Sequence, residues 1–148
     1  MKKLFYIADI RLPTDKAHGI QIMKMCEALA DYNVEVELVV PRRFNSIKTD
    51  PFVFYGVNKI FKIKKLPTID LFVLGRVGFL LQSSVFVLMT ILHSAFKANG
   101  LFYTRETLIA YCLSVLGKEV VWEGHRGEVS WSIKQLIKRS IPTVLITN

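Results

Sequence analysis

The sequence predicts an α/β domain with a doubly wound, mostly parallel sheet and helices on both faces. Three observations point there. Short apolar runs recur along the chain: "LFYIA" at residues 4–8, "VEVELVVP" at 34–41, "LFY" at 101–103 and "EVVW" at 119–122. Such runs read as parallel strands buried on both faces. Segments with apolar residues at three- and four-residue spacing lie between them, as amphipathic helices require. The first strand, first helix and second strand fit into roughly forty residues, the size of one βαβ unit with its right-handed crossover.

The elements follow in order. Helix one is expected from Ile20 to Tyr32, with Ile22, Met23, Cys26, Leu29 and Ala30 on one face. Strand two ends at Pro41, which cannot donate to a ladder. A third strand is expected within Asn58–Lys64, where lysines alternate with apolar residues. The long apolar stretch at 71–96 is too long for a strand, and Asn99-Gly100 forms a helix stop. "LFYTRE" and "EVVWEGH" are two further strands that end in polar residues. Between them "TLIAYCLSVLGK" is a helix with Gly117 as its C-cap. "SWSIKQLIKRS" is a short amphipathic helix in which Ser132 and Gln135 can form a capping box. "PTVLITN" is a last strand. Residues 1–148 therefore read as a single domain with one core. A strand at its end normally feeds another helix, so the expectation is a fragment or one half of a two-part enzyme.

Composition narrows the partners. The net charge is +8, and Arg42 to Lys65 holds seven basic residues against a single acid, Asp50. A patch of this kind suits nucleic acid, anionic lipid or phosphorylated ligands, or is a solvated face. The mean hydropathy of +0.34 is high for a soluble domain and points to an apolar surface, a membrane contact or a partner. Val77 to Leu92 contains no charged residue, yet is shorter than the ~20 residues that span hydrocarbon. A helix buried against the sheet is the favoured reading, with a span or an interfacial helix as alternatives. Cys26 and Cys112 make no disulfide framework, and no His/Cys cluster has metal-ligand spacing. "MKKLFYIADIRLP" is too short in its apolar run for a signal peptide, so the protein is expected to be cytoplasmic.

Open parallel sheets bind ligands beyond the carboxyl ends of their strands. Asp9, Arg11, Thr14, Asp15, Lys16, His18 and Gly19 follow strand one, and Arg42 and Arg43 follow strand two. Thr104, Arg105 and Glu106 follow the fourth, and Glu123, Gly124, His125 and Arg126 the fifth. Gly19 at the start of a helix leaves room for a phosphate to approach the free N–H groups there. His125 is the candidate for proton transfer or charge stabilisation, with Glu123 placed to orient it. Neither GxGxxG nor GxxxxGK[ST] occurs, so neither a dinucleotide fingerprint nor a P-loop is present.

"LFYIADIRLPTDKAHGIQIMKMCEALADYNVEVELVVP", Leu4 to Pro41, resembles the opening of GT-B glycosyltransferases of family 4. "LFYTRE" and "EVVWEGH" sit where that family has its fourth and fifth strands. The resemblance implies a Rossmann-like N-terminal, acceptor-binding domain, one half of a GT-B fold whose C-terminal donor-binding domain lies outside residues 1–148. It implies transfer of a sugar, with retention and without a metal or other cofactor, from a nucleotide-sugar donor to a glycan or lipid-linked acceptor. By the same resemblance Gly19 and His18 lie near the donor phosphates, and His125 is the catalytic histidine that contacts the donor sugar. Asp15, Arg105, Glu106 and Glu123 line the acceptor side. The setting implied is cell-surface polysaccharide or glycolipid synthesis, peripheral at the inner face of the plasma membrane, with no nucleic-acid partner. This half alone is expected to be inactive, because catalysis needs donor and acceptor in one closed site. Two alternatives are an acceptor or membrane subunit of a split two-chain transferase, and a non-catalytic nucleotide-binding or membrane-docking module.

Overall fold

A computed structural model describes residues 2–71, 75–97, 99–124 and 131–145, with backbone alone at 131, 132, 144 and 145. The chain runs β1 (Lys2–Ile7), α1 (Ala17–Asp31), β2 (Val34–Arg42), α2 (Pro51–Tyr55), β3 (Lys62–Pro67), α3 (Gly75–Ala95), β4 (Leu101–Thr104), α4 (Thr107–Val115), β5 (Val120–Gly124), α5 (Trp131–Lys138) and β6 (Thr143–Leu145). The six strands form one sheet in the order β3-β2-β1-β4-β5-β6, and each neighbouring pair is parallel. The order reverses at β1/β4, so the chain winds outward in both directions from the centre. This is the expected Rossmann-like α/β architecture.

Alternation along the central strands builds a core on each face. Leu4, Tyr6 and Ala8 of the β1 segment join Val36, Leu38 and Val40 of β2 against Ile22, Met23 and Cys26 of α1 and Phe52 and Tyr55 of α2. Phe5, Ile7 and Val39 point the other way, onto Phe86 of α3, Ile109 and Leu113 of α4 and Leu136 of α5. Both faces of β1 are covered, which is why "LFYIA" reads as an uninterrupted apolar run. Cys26 is buried, and burial pushes its thiol well above the ordinary range, so it acts as a core hydrophobe.

Several boundaries differ from expectation. α1 starts at Ala17, three residues before Ile20. β2 runs through Pro41, which still pairs with Leu66 of β3, so the proline does not end the strand. β3 lies later than expected, because α2 and its exit occupy the preceding residues. Within α2, Asp50 Oδ1 accepts from the Phe52 backbone N–H at 2.8 Å, Pro51 stands in the first turn, and Gly56 caps the end at φ +59°.

The larger departure is α3. It packs on the sheet through one narrow stripe, Gly78, Gln82, Phe86, Thr90 and Ser94. Three of these five are polar. Val77, Leu80, Leu81, Leu88 and Leu92 are exposed. The helix is long and apolar enough to cross a membrane by length and composition, with a mean hydropathy of 1.6. It is thus not the buried core helix that its composition suggests. The sheet takes its small and polar side, and solvent meets the leucines.

Candidate functional site

An open pocket of about 440 Å³ lies beyond the carboxyl ends of β1 and β2. Its wall includes Asp9 and Arg11 from the β1 exit, Asp15, Lys16 and His18 from the entry to α1, and Arg43 and Asn45 from the β2 exit. Phe79 and Gln82 of α3 close one side. Asn45 Nδ2 ties the two loops together by donating to the Pro13 carbonyl at 2.6 Å, and the Phe44 backbone N–H ties the β2 exit to the segment after β3 by donating to Asp70 at 3.0 Å. The arrangement follows from topology, since parallel strands deliver their exit loops to the same edge.

The pocket floor is a charged seam beneath α3. Arg43 donates to Asp9 Oδ1 at 2.6 Å, and both side chains are almost enclosed. Ser83 Oγ of α3 donates to the other Asp9 oxygen at 3.0 Å. With its amide oxygen turned toward Arg43, Gln82 accepts from that guanidinium while its Nε2 donates to Asp70. Glu106 joins from the start of α4. Burial pushes its carboxyl above the ordinary value, the Asp9 charge adds to this, and a hydrogen bond from the Asp9 backbone opposes it. A buried ion pair with satisfied partners is costly to break, so this seam fixes the pocket floor.

A second cluster sits one strand away. Glu123, at the end of β5, is 1% exposed. Its carboxylate accepts from Tyr103 Oη at 2.8 Å, Tyr6 Oη at 3.3 Å, Arg105 Nη2 at 2.7 Å and Arg105 Nε at 3.1 Å. Burial, with the Glu123 charge behind it, raises the Tyr6 hydroxyl far above its usual range; burial and the bond to Glu123 do the same for Tyr103. Burial is the largest influence on Arg105 and disfavours its charge, but the bond to Glu123 together with the Glu123, Tyr6 and Tyr103 charges outweighs it and raises the guanidinium's value.

These contacts correct three expectations. Glu123 does not line an acceptor surface: its oxygens are spent on Tyr6, Tyr103 and Arg105 inside the protein. Arg105 pairs with Glu123 and not with the adjacent Glu106, and neither Arg105 nor Glu106 borders the pocket. Gly19 leaves no room for a phosphate on the side where a Cβ would stand. That space holds Tyr55 Oη and, at 2.7 Å, Thr14 Cγ2. Asp15 and His18 do line the pocket. His125 lies outside the described residues.

His18 is the titratable imidazole of this pocket. Burial lowers its value, and the positive charges of Lys16 and Arg105 lower it further. Both influences favour the neutral ring, whose lone pair can accept a proton. α1 begins beside it without a side-chain cap. Gln82, Ser83 and Phe79 were not singled out from sequence. The signal was there: Gln82 and Ser83 interrupt an apolar helix, and Gln82 falls four residues from both Gly78 and Phe86.

No family model matches the chain, and none of the curated proteins matches it. Solved structures do. The chain is similar to UGT2 of Phytolacca americana in its apo form, at a TM-score of 0.60 and 14% identity over 85% of this chain and 30% of that one. It is similar to the same protein complexed with UDP-2-fluoro-glucose and pterostilbene, at a TM-score of 0.59 and 14% identity over 84% of this chain and 30% of that one. The chain thus spans about a third of the length of the structures it matches. At this identity the likeness concerns the fold: the domain is Rossmann-like and has the α/β architecture of part of a GT-B glycosyltransferase.

Proposed function

We propose that the chain is the acceptor-side domain of a glycosyltransferase that moves a sugar from a nucleotide-sugar donor to a glycan or lipid-linked acceptor, without a metal. The observation that carries this reading is the pocket at the exits of β1 and β2, with a neutral imidazole on its wall. A similar fold, in UGT2, is complexed with UDP-2-fluoro-glucose and pterostilbene. In this reading Asp15 accepts a hydrogen bond from an acceptor hydroxyl, and Arg11 and Lys16 offset the negative charge of the donor phosphates. His18 takes the proton of the attacking hydroxyl, a role that suits a group with a value close to or below neutrality. His125, following β5, is retained as the group that meets the donor sugar.

The role of His18 bears on stereochemistry. A retaining transfer forms the new bond on the face the phosphate leaves, so the departing phosphate can itself take the acceptor proton. A protein base serves attack from the opposite face. The test is genetic and chemical together. Membranes and extract of cells lacking the gene should fail to move label from one nucleotide sugar to an acceptor, and the intact gene should restore transfer. H18A should restore it with a rate lower on the order of 10²-fold. The rate of the intact protein should fall as the pH drops through the lowered His18 value, and EDTA should leave it unchanged. Transfer from every nucleotide sugar persisting in the deletion would overturn the function. H18A at full rate, with a retained anomeric configuration in the product, would remove His18 from the chemistry and favour the retention implied by the sequence.

A further inference from the structure

The outward face of α3 is unusual for a helix on a soluble sheet. Val77 is 63%, Leu80 65% and Leu88 53% exposed; Leu81 lies within the same face and Leu92 extends it toward the end of the helix. Ser84 is the polar residue within this stripe, and its hydroxyl donates to the Leu80 carbonyl at 2.8 Å, so its polarity is satisfied inside the helix. At 1.5 Å per residue the face from Val77 to Leu92 is about 23 Å long. Contiguous apolar surface of this kind marks a contact site.

Cations border it. Arg76 is exposed at its start. Lys62 and Lys64 of the edge strand β3 share a sheet face with Leu66, whose side chain packs in the same cluster as Phe86. The register thus sets both lysines beside α3. Lys48 lies over the Phe44 ring at 4.8 Å, near the pocket end of the helix. We propose that this face docks on an anionic lipid surface, with the helix lying in the interface and not crossing it. A crossing would strip the inner stripe of its partners. Gln82 is engaged with Arg43 and Asp70, and His93 meets Glu37 at 2.9 Å. Such groups need partners that hydrocarbon cannot supply. An interfacial helix keeps them on the sheet and buries only the leucines, while the lysines and arginine meet the lipid charge.

Phe79 belongs both to α3 and to the pocket wall, so docking brings the pocket rim to the bilayer. This next step rests on the transferase reading: the acceptor would be lipid-linked, its polar head in the pocket and its chain left in the membrane.

The test uses co-sedimentation with vesicles of phosphatidylcholine, with and without phosphatidylglycerol. The wild-type chain should sediment with the phosphatidylglycerol vesicles at low salt and be released as salt rises. L80D/L88D should lower this partitioning by at least about ten-fold with an unchanged Tm, because both side chains face outward. R76E/K64E should weaken binding to the anionic vesicles alone. Equal binding to both vesicle types, or none to either, would overturn the proposal. A dimer in sedimentation equilibrium that L80D/L88D dissociates, without vesicle binding, would assign the face to a second copy and overturn it too. Since no donor or acceptor is present, docking can fail while the transferase reading stands, and the reverse.

Discussion

The two helical layers of this domain solve the same problem in opposite ways. On one face of the sheet α1 buries Ile22, Met23 and Cys26 and turns Lys24, Gln21 and Asp31 to water. On the other, α3 turns its leucines outward and presents Gly78, Gln82, Thr90 and Ser94 to the sheet, with Phe86 as its large apolar anchor. The sheet matches each. β1 and β2 offer Tyr6, Val36 and Leu38 to α1, but Glu37 to the α3 side, where it meets His93 and Lys97. Apolar surface removed from water is the main drive for packing a helix. α3 forgoes much of it, and replaces it with hydrogen bonds to a charged seam. A helix attached in that way keeps its apolar side available for something other than the core.

The attachment of α3 depends on very few apolar atoms. F86A should cost about 3–5 kcal/mol, as for a fully enclosed phenylalanine with nothing to collapse into its place. L88A on the same helix should change stability by no more than about 0.5 kcal/mol. On α1 the ordinary rule applies, and M23A should cost about 2–5 kcal/mol. Urea unfolding of the three variants measures this. An L88A cost approaching that of F86A would mean that α3 is packed as α1 is, and the contrast would be lost.

The α1 layer is tight enough that even a methyl group should be felt. Tyr55 Oη accepts from the Thr14 backbone N–H and donates to the Thr14 carbonyl, both at 2.7 Å, directly over Gly19. G19A should cost about 1–3 kcal/mol through overpacking. Y55F should also destabilise, because two backbone groups of Thr14 lose their partner. The double variant should cost clearly less than the two together, since removing the hydroxyl makes room for the methyl. Strict additivity would show that Gly19 is not held against Tyr55, and would restore the space beside it for a ligand.

The contrast between the layers was only half legible in the sequence. β1 is readable because both its faces are apolar, β2 because Val36, Leu38 and Val40 make one face wholly apolar, and α1 because its pattern is a plain amphipathic one. α2 was missed although Asp50, Pro51 and Gly56 are a capping residue, a first-turn proline and a left-handed stop in order. Its five residues are too few for periodicity to register, and they sit in a stretch dominated by charge. α3 was readable as a helix but not in its orientation. Composition and period say that a segment is apolar, and its few polar residues look like flaws until their partners are known. Those partners, Asp70, Arg43 and Asp9, are distant in sequence and reach Gln82 and Ser83 only through the fold. The same holds at the site. Asp15 and His18 reach the pocket wall because their loop leaves the end of β1. Glu123 was misplaced because a residue at a strand end can point into the sheet as readily as out of it, and only Tyr6, Tyr103 and Arg105 decide which.

The smallest effect concerns the charge buried in the α3 layer. Glu106 lies against Asp9, within the seam, and its value is raised by burial and by the Asp9 charge. The folded protein therefore holds a proton on Glu106 more strongly than the unfolded chain does. Above the usual carboxyl value of 4.5 the unfolded chain binds fewer protons than the folded one, so stability declines as the pH rises through the folded value, and the deficit persists at neutral pH. E106Q keeps the shape and removes the charge. It should raise Tm by a few degrees at neutral pH, and the gain should fade as the pH falls and wild-type Glu106 becomes protonated. Thermal melts of both proteins across this range report the difference directly. A gain that does not change with pH would mean that packing, not charge, distinguishes the two, and that the α3 layer tolerates its carboxylates at no electrostatic cost. A gain that follows the proton would show the opposite for this layer, where charge lies under the helix and the leucines lie outside it.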